Sequence, residues 1–67
     1  MTALEYLSYL KANKGILLGD ETRLDDLQPE DRSTLIRHGY IFLDDDHEGT
    51  PWVELTKSGE DFLLSVY

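Results

Sequence analysis

Apolar positions recur three apart at the start of this chain, and they cluster in short β-branched and aromatic runs near its end. Leu4, Leu7 and Leu10, flanked by Ala3 and Tyr6, make the apolar face of a helix over residues 3–13. Thr2 and Glu5 stand before it at capping-box spacing, so that each side chain can satisfy the other's backbone N–H. Asn13-Lys14-Gly15 stops the helix: Gly15 takes the left-handed conformation, and Lys14 suits the negative end of the helix dipole. Ile16-Leu17-Leu18 is a short apolar run between glycines, too brief for periodicity to choose between an edge strand and a buried connector.

A second, short helix is predicted over residues 21–27, with Asp20 as N-cap and Leu24 and Leu27 facing inward. A third starts at Pro29, whose missing N–H costs nothing at a first helical position. Glu30 and Asp31 favour its positive end, and it runs through Leu35 and Ile36 to His38 before Gly39 ends it. Tyr40 is then placed to fold its ring back on that helix's last turn. Residues 40–43 and 52–55 are strand-like runs separated by a polar connection of eight residues, a hairpin with a long acidic loop. Tyr40 and Trp52 are expected on its core face. Thr56 is a natural N-cap for a last helix whose apolar side is Phe62, Leu63 and Val66. The order is helix, short strand, helix, helix, strand, strand, helix: an α+β class domain occupying residues 1–67 without linker or repeat.

The segment Leu35-Ile36-Arg37-His38-Gly39-Tyr40-Ile41, then the hairpin, then Leu55-Thr56-Lys57-Ser58-Gly59-Glu60-Asp61-Phe62-Leu63, resembles winged helix-turn-helix regulators of the multiple-antibiotic-resistance and phenolic-acid-decarboxylase repressor types. In those families a recognition helix ends in glycine before a β-branched strand, and the wing returns into a leucine-threonine-x-x-glycine helix opening. The resemblance spans about residues 20–64 and implies a small winged helix-turn-helix with residues 29–38 as recognition helix. Arg32 and Arg37 would then reach phosphates or guanine edges, and Ser33 and Thr34 phosphates.

Charge changes that picture. With 14 acidic and 6 basic side chains the net charge is −8, so the long-range field opposes a polyanionic duplex. Glu30 and Asp31 occupy the helical turn that would enter the major groove first. The wing loop reads Asp44-Asp45-Asp46-His47-Glu48 where basic residues are wanted. The expected function is therefore a non-enzymatic regulatory interaction module in a transcription or nucleic-acid-processing setting. Its acidic faces, Asp20, Glu21, Asp25, Asp26, Glu30, Asp31, Asp44, Asp45, Asp46 and Glu48, would meet a basic protein partner, in the sharpest version by imitating DNA phosphates. The alternative is a dimeric, sequence-specific DNA-binding regulator using Arg32, Ser33, Thr34 and Arg37. A third possibility is a subunit with no nucleic-acid role.

Chemistry of other kinds finds little support. Asp44-x-Asp46-x-Glu48-Gly49 imitates the opening of a calcium loop, but its twelfth position is Leu55, so a solvated acidic turn is expected. The two histidines, 38 and 47, have no cysteine beside them and no helical partner spacing, so neither metal nor cofactor is expected. No serine lies in a nucleophile elbow, and no enzyme is expected. The absence of cysteine fits a reducing cytoplasm. Residues 1–18 hold no basic segment leading into an apolar run, so no secretory signal is expected, and no apolar run approaches the roughly 20 residues a membrane span needs. The apolar tail and first helix suggest a possible interface of Tyr6, Tyr9, Leu64 and Tyr67, such as a homodimer would use.

Overall fold

The computed structural model describes residues 1–66, and at 46 and 47 the backbone alone. It is a small α+β domain: α1 (Ala3–Ala12), β1 (Ile16–Leu18), two 3-10 turns (Gly19–Thr22 and Leu24–Asp26), α2 (Pro29–Arg37), β2 (Ile41–His47), β3 (Thr50–Leu55) and α3 (Lys57–Val66). The three strands form an antiparallel sheet in the order β1-β3-β2. Ile16–Leu18 is thus the edge strand of the two options its sequence left open.

The helix ends follow the sequence rules. Thr2 caps α1 by accepting from the Glu5 N–H at 3.1 Å, and the Glu5 carboxylate accepts the Thr2 N–H at 3.0 Å. The Thr2 N–H, with the Thr2 hydroxyl also acting on the carboxylate, holds the Glu5 carboxyl below its ordinary pKa. Pro29 opens α2 behind Gln28, and Gly39 at φ 71 turns the chain out of it, with the Tyr40 N–H closing back on the Leu35 carbonyl at 2.9 Å. Tyr40 stacks on His38 (centroids 5.3 Å apart) and on Phe62 (4.7 Å), tying the end of α2 to α3.

One core lies between the helices and one face of the sheet. Tyr6, Leu7 and Leu10 of α1, Leu35 of α2 and Leu63 of α3 pack on Leu17, Ile41 and Val53 of the strands, with Leu27 closing the end. Thr56 fastens the last helix to this layer. Its hydroxyl donates to the Gly39 carbonyl and accepts the Gly59 N–H at 3.1 Å, while its own N–H donates to the Tyr40 carbonyl at 3.1 Å.

Three expectations are corrected. The α-helix over residues 21–27 is instead a pair of 3-10 turns broken at Arg23, which lies in the left-handed region at φ 49. The buried Thr22 hydroxyl donates to the Gly19 carbonyl at 2.7 Å, closing a tighter turn than an α-helix, and Leu18 rather than Asp20 occupies the cap position. Leu24 and Leu27 still face inward, because a spacing of three serves either helix type.

The long acidic loop is also replaced. Residues 44–47 continue β2, His47 pairs with Thr50, and the connection is the two-residue turn Glu48-Gly49, at φ 52 and φ 81. One extra residue bulges from β2 between Asp44 and His47. Trp52, finally, faces away from the core. Its neighbour Val53 is fully buried, and period-two alternation puts the indole on the opposite side of the sheet.

Candidate functional site

The helix-free face of the sheet carries the most unusual surface of the molecule. Register aligns two rows across it: Ile16, Glu54 and Phe42, then Leu18, Trp52 and Asp44. Strand alternation on a half-buried antiparallel sheet calls for polar side chains here. Instead Ile16 is 41% exposed, Leu18 44% and Phe42 55%, with the half-buried Trp52 between them. Glu54 is exposed in the middle of the apolar row. Leu18, Trp52, Thr50 and Glu48 line a shallow depression at the hairpin end, and Lys14 and Glu54 border another beside Ile16.

The predicted acidic residues divide among three places. Asp20, Asp25 and Asp26 line a concavity formed by the 3-10 turns against Pro51 of β3, adjoining the hairpin, and Glu21 is exposed on the same segment. Asp26 there accepts from Arg23 at 2.8 Å. Asp44, Asp45 and Glu48 follow the hairpin, Asp44 half-buried on the outer face and Glu48 in the turn, while the Asp46 side chain lies outside the described residues. Glu30 and Asp31 lie in the first turn of α2, Glu30 exposed and Asp31 half-buried. The described positions are thus carried by three elements: the 3-10 turns and the hairpin, which adjoin, and the first turn of α2.

Among the DNA-contact candidates, Ser33 and Arg37 are exposed. Thr34 turns its hydroxyl back to the Glu30 carbonyl at 2.9 Å. Arg32 is half-buried and close enough to Tyr6 to counteract part of the rise in that phenol's pKa. Arg23 is held over the Tyr9 ring at 5.4 Å as well as to Asp26, and Lys11 and Lys57 pair with Glu60 and Asp61 at 2.7 and 3.4 Å. These cations sit beside carboxylates instead of collecting on one basic face.

Burial removes Tyr6 from the expected tyrosine-leucine interface. Tyr6 is 0% exposed, because its ring fills the core and its hydroxyl donates to the Thr22 carbonyl at 2.6 Å. Burial pushes its pKa up to about 12. Tyr9 is half-buried and donates to the Glu21 carbonyl at 2.8 Å. Leu64 is 67% exposed, beside a groove with Lys11, Ala12 and Leu63 on another side of α1, and Tyr67 lies outside the described residues. No group of three His, Asp or Glu side chains among the described residues converges on a metal-sized site. No helix among them is long and apolar enough to cross a membrane.

Sequence reasoning missed Ile16, Leu18, Phe42, Trp52 and Glu54 as a surface. The available signal was Ile16-Leu17-Leu18 itself: three consecutive apolar residues in an edge strand must put some of them on the outer face. The chain matches no protein-family model, no curated protein and no solved structure.

Proposed function

We propose that this chain is a non-enzymatic interaction module, a winged-helix variant whose acidic surface binds a basic protein partner in a transcription or nucleic-acid-processing setting. The observation that carries this function is the placement of charge. Lys11, Arg23 and Lys57 are each paired with a carboxylate, while Asp20, Glu21, Asp25, Asp45, Glu48 and Glu54 stand exposed on the 3-10 turns, hairpin and sheet. Such a surface attracts a basic partner at long range and repels a phosphate backbone. The strand order β1-β3-β2, with β2 and β3 forming a hairpin after α2, supports the winged-helix assignment. In this variant the helix that should precede α2 is reduced to 3-10 turns.

The test is affinity capture from the source cell with and without nuclease, paired with titration of duplex DNA at about 150 mM salt. Nuclease-resistant capture of a basic protein, without duplex binding, is the expected result. Duplex binding that falls steeply with salt and is lost in Arg32→Ala and Arg37→Ala would instead establish the DNA-binding regulator.

A further inference from the structure

Resting on that reading, we infer that the partner docks as a basic amphipathic helix across the outer sheet face, with its apolar stripe on Ile16, Leu18, Trp52 and Phe42 and its cations against Glu54 and the Glu48 turn. Dimensions and charge both select this occupant. Neighbouring strands lie about 4.8 Å apart, so the span from β1 to β2 is about 10 Å, the width of one helix. The two side-chain rows are two residues apart along the strands, about 7 Å, close to the rise between positions i and i+4 of a helix. An apolar stripe at i, i+3, i+4 and i+7 can therefore cover both rows at once.

Charge decides against a second copy of this chain. Stacking the face on itself would gather the Glu54 and Asp44 carboxylates of both copies into one interface while removing water, and like charges in that setting are strongly unfavourable. A partner bearing lysine or arginine beside its apolar stripe turns the same two positions into attractive contacts. Lys14, at the Ile16 end, favours the acidic or C-terminal end of the incoming helix there and so sets its direction.

The probe is a synthetic amphipathic peptide of about 18 residues, with leucines at i, i+3, i+4 and i+7 and lysines elsewhere, and a second peptide with glutamate in place of lysine. Trp52 is the chain's one tryptophan and sits on the face, so its emission reports docking directly. Saturable blue-shifted binding of the lysine peptide is expected, with amide shifts concentrated in Ile16–Leu18, Thr50–Leu55 and the first half of β2. Leu18→Ser and Phe42→Ser, checked for native circular dichroism, should each weaken it about tenfold. Glu54→Lys should weaken the lysine peptide and admit the glutamate peptide.

Shifts confined to residues 19–26, with affinity unchanged in Phe42→Ser, would overturn the sheet-face site yet leave an acidic partner surface standing. Absence of peptide binding overturns the site too, while nuclease-resistant capture scores the broader function independently. Self-association abolished by Phe42→Ser, or Trp52 quenching by single-stranded oligonucleotide but not by the lysine peptide, would each replace the proposed occupant.

Discussion

Alanine at Gly59 is expected to destabilise the fold severely, although helix propensity alone favours alanine over glycine by about 1 kcal/mol. Gly59 is buried in the first turn of α3. A Cβ there would overlap the Tyr40 carbonyl oxygen, approach its carbon to 3.0 Å and meet the Leu55 Cδ1 at 2.8 Å. Leu55 can rotate, but the Tyr40 carbonyl cannot, because it accepts the Thr56 N–H at 3.1 Å. The helix must therefore back away, loosening Leu63 from the core and the Thr56 hydroxyl from the Gly59 N–H. Overpacking of this kind costs up to about 3 kcal/mol and a lost cap about 1 kcal/mol. Less the propensity gain, the net loss is about 3 kcal/mol, most of what a core this small supplies. In a domain of this size that lowers the melting temperature by roughly 12–24 °C. Thermal and urea denaturation followed by circular dichroism measure it, with Gly49→Ala as control. Gly49 has φ 81 and nothing within 4 Å of an added Cβ, so only a conformational cost of about 1–2 kcal/mol applies there. A Gly59→Ala protein as stable as wild type, or less affected than Gly49→Ala, would refute the close seating of α3 on Tyr40.

Tyr6 gives a pH prediction. The unfolded phenol ionises near pH 10 and the folded one near 12, so its contribution is intact below pH 10 and is lost as pH rises between those values, about 2–3 kcal/mol in all. Tyr6→Phe should lose about 1–2 kcal/mol at neutral pH, by orphaning the Thr22 carbonyl, and should show a shallower alkaline decline in pH-resolved melting. Thr56→Ala should cost about 1–2 kcal/mol by chemical denaturation, with Thr56→Ser restoring most of it, since only the hydroxyl joins Gly39 to Gly59. Arg37→Ala should leave capture of a basic partner unchanged and stability within about 0.5 kcal/mol, since its side chain is exposed at the end of α2.

The elements set by local stereochemistry were legible from residue types alone. The Thr2–Glu5 box, Pro29, Gly39 and the Leu55-Thr56-x-x-Gly59 opening each specify a backbone geometry with few alternatives, and each is found. The spacing that includes Gly59 has a specific cause: the third residue after the cap faces the Tyr40 carbonyl, where no Cβ fits. The segment over residues 21–27 was illegible because an i, i+3 leucine pair satisfies α and 3-10 geometry equally. The tighter turn is closed by the Thr22 hydroxyl on Gly19 and tied by the Thr22 carbonyl to the Tyr6 hydroxyl, sixteen residues earlier. The hairpin loop was misjudged because aspartates are poor strand formers. Residues 44–47 extend the strand by pairing against Thr50 and Trp52, with a bulge absorbing the mismatch.

The surface was harder to read than the core for a physical reason. Inward positions answer to one shared core, so their apolar periodicity reports the fold, whereas outward positions answer to water or to a partner that the sequence does not contain. Where outward residues are polar the two demands agree. Ile16, Leu18 and Phe42 are where they conflict, since among the described residues none covers these side chains and the exposed edge and hairpin would be safer without them. Glu54 sits among them, and its carboxylate limits stacking between copies without hiding the apolar rows. Local rules that hold throughout the core and fail together on one face fit the docking site proposed there. Under the proposed function, the acidic residues around that face would match the charge of a basic partner.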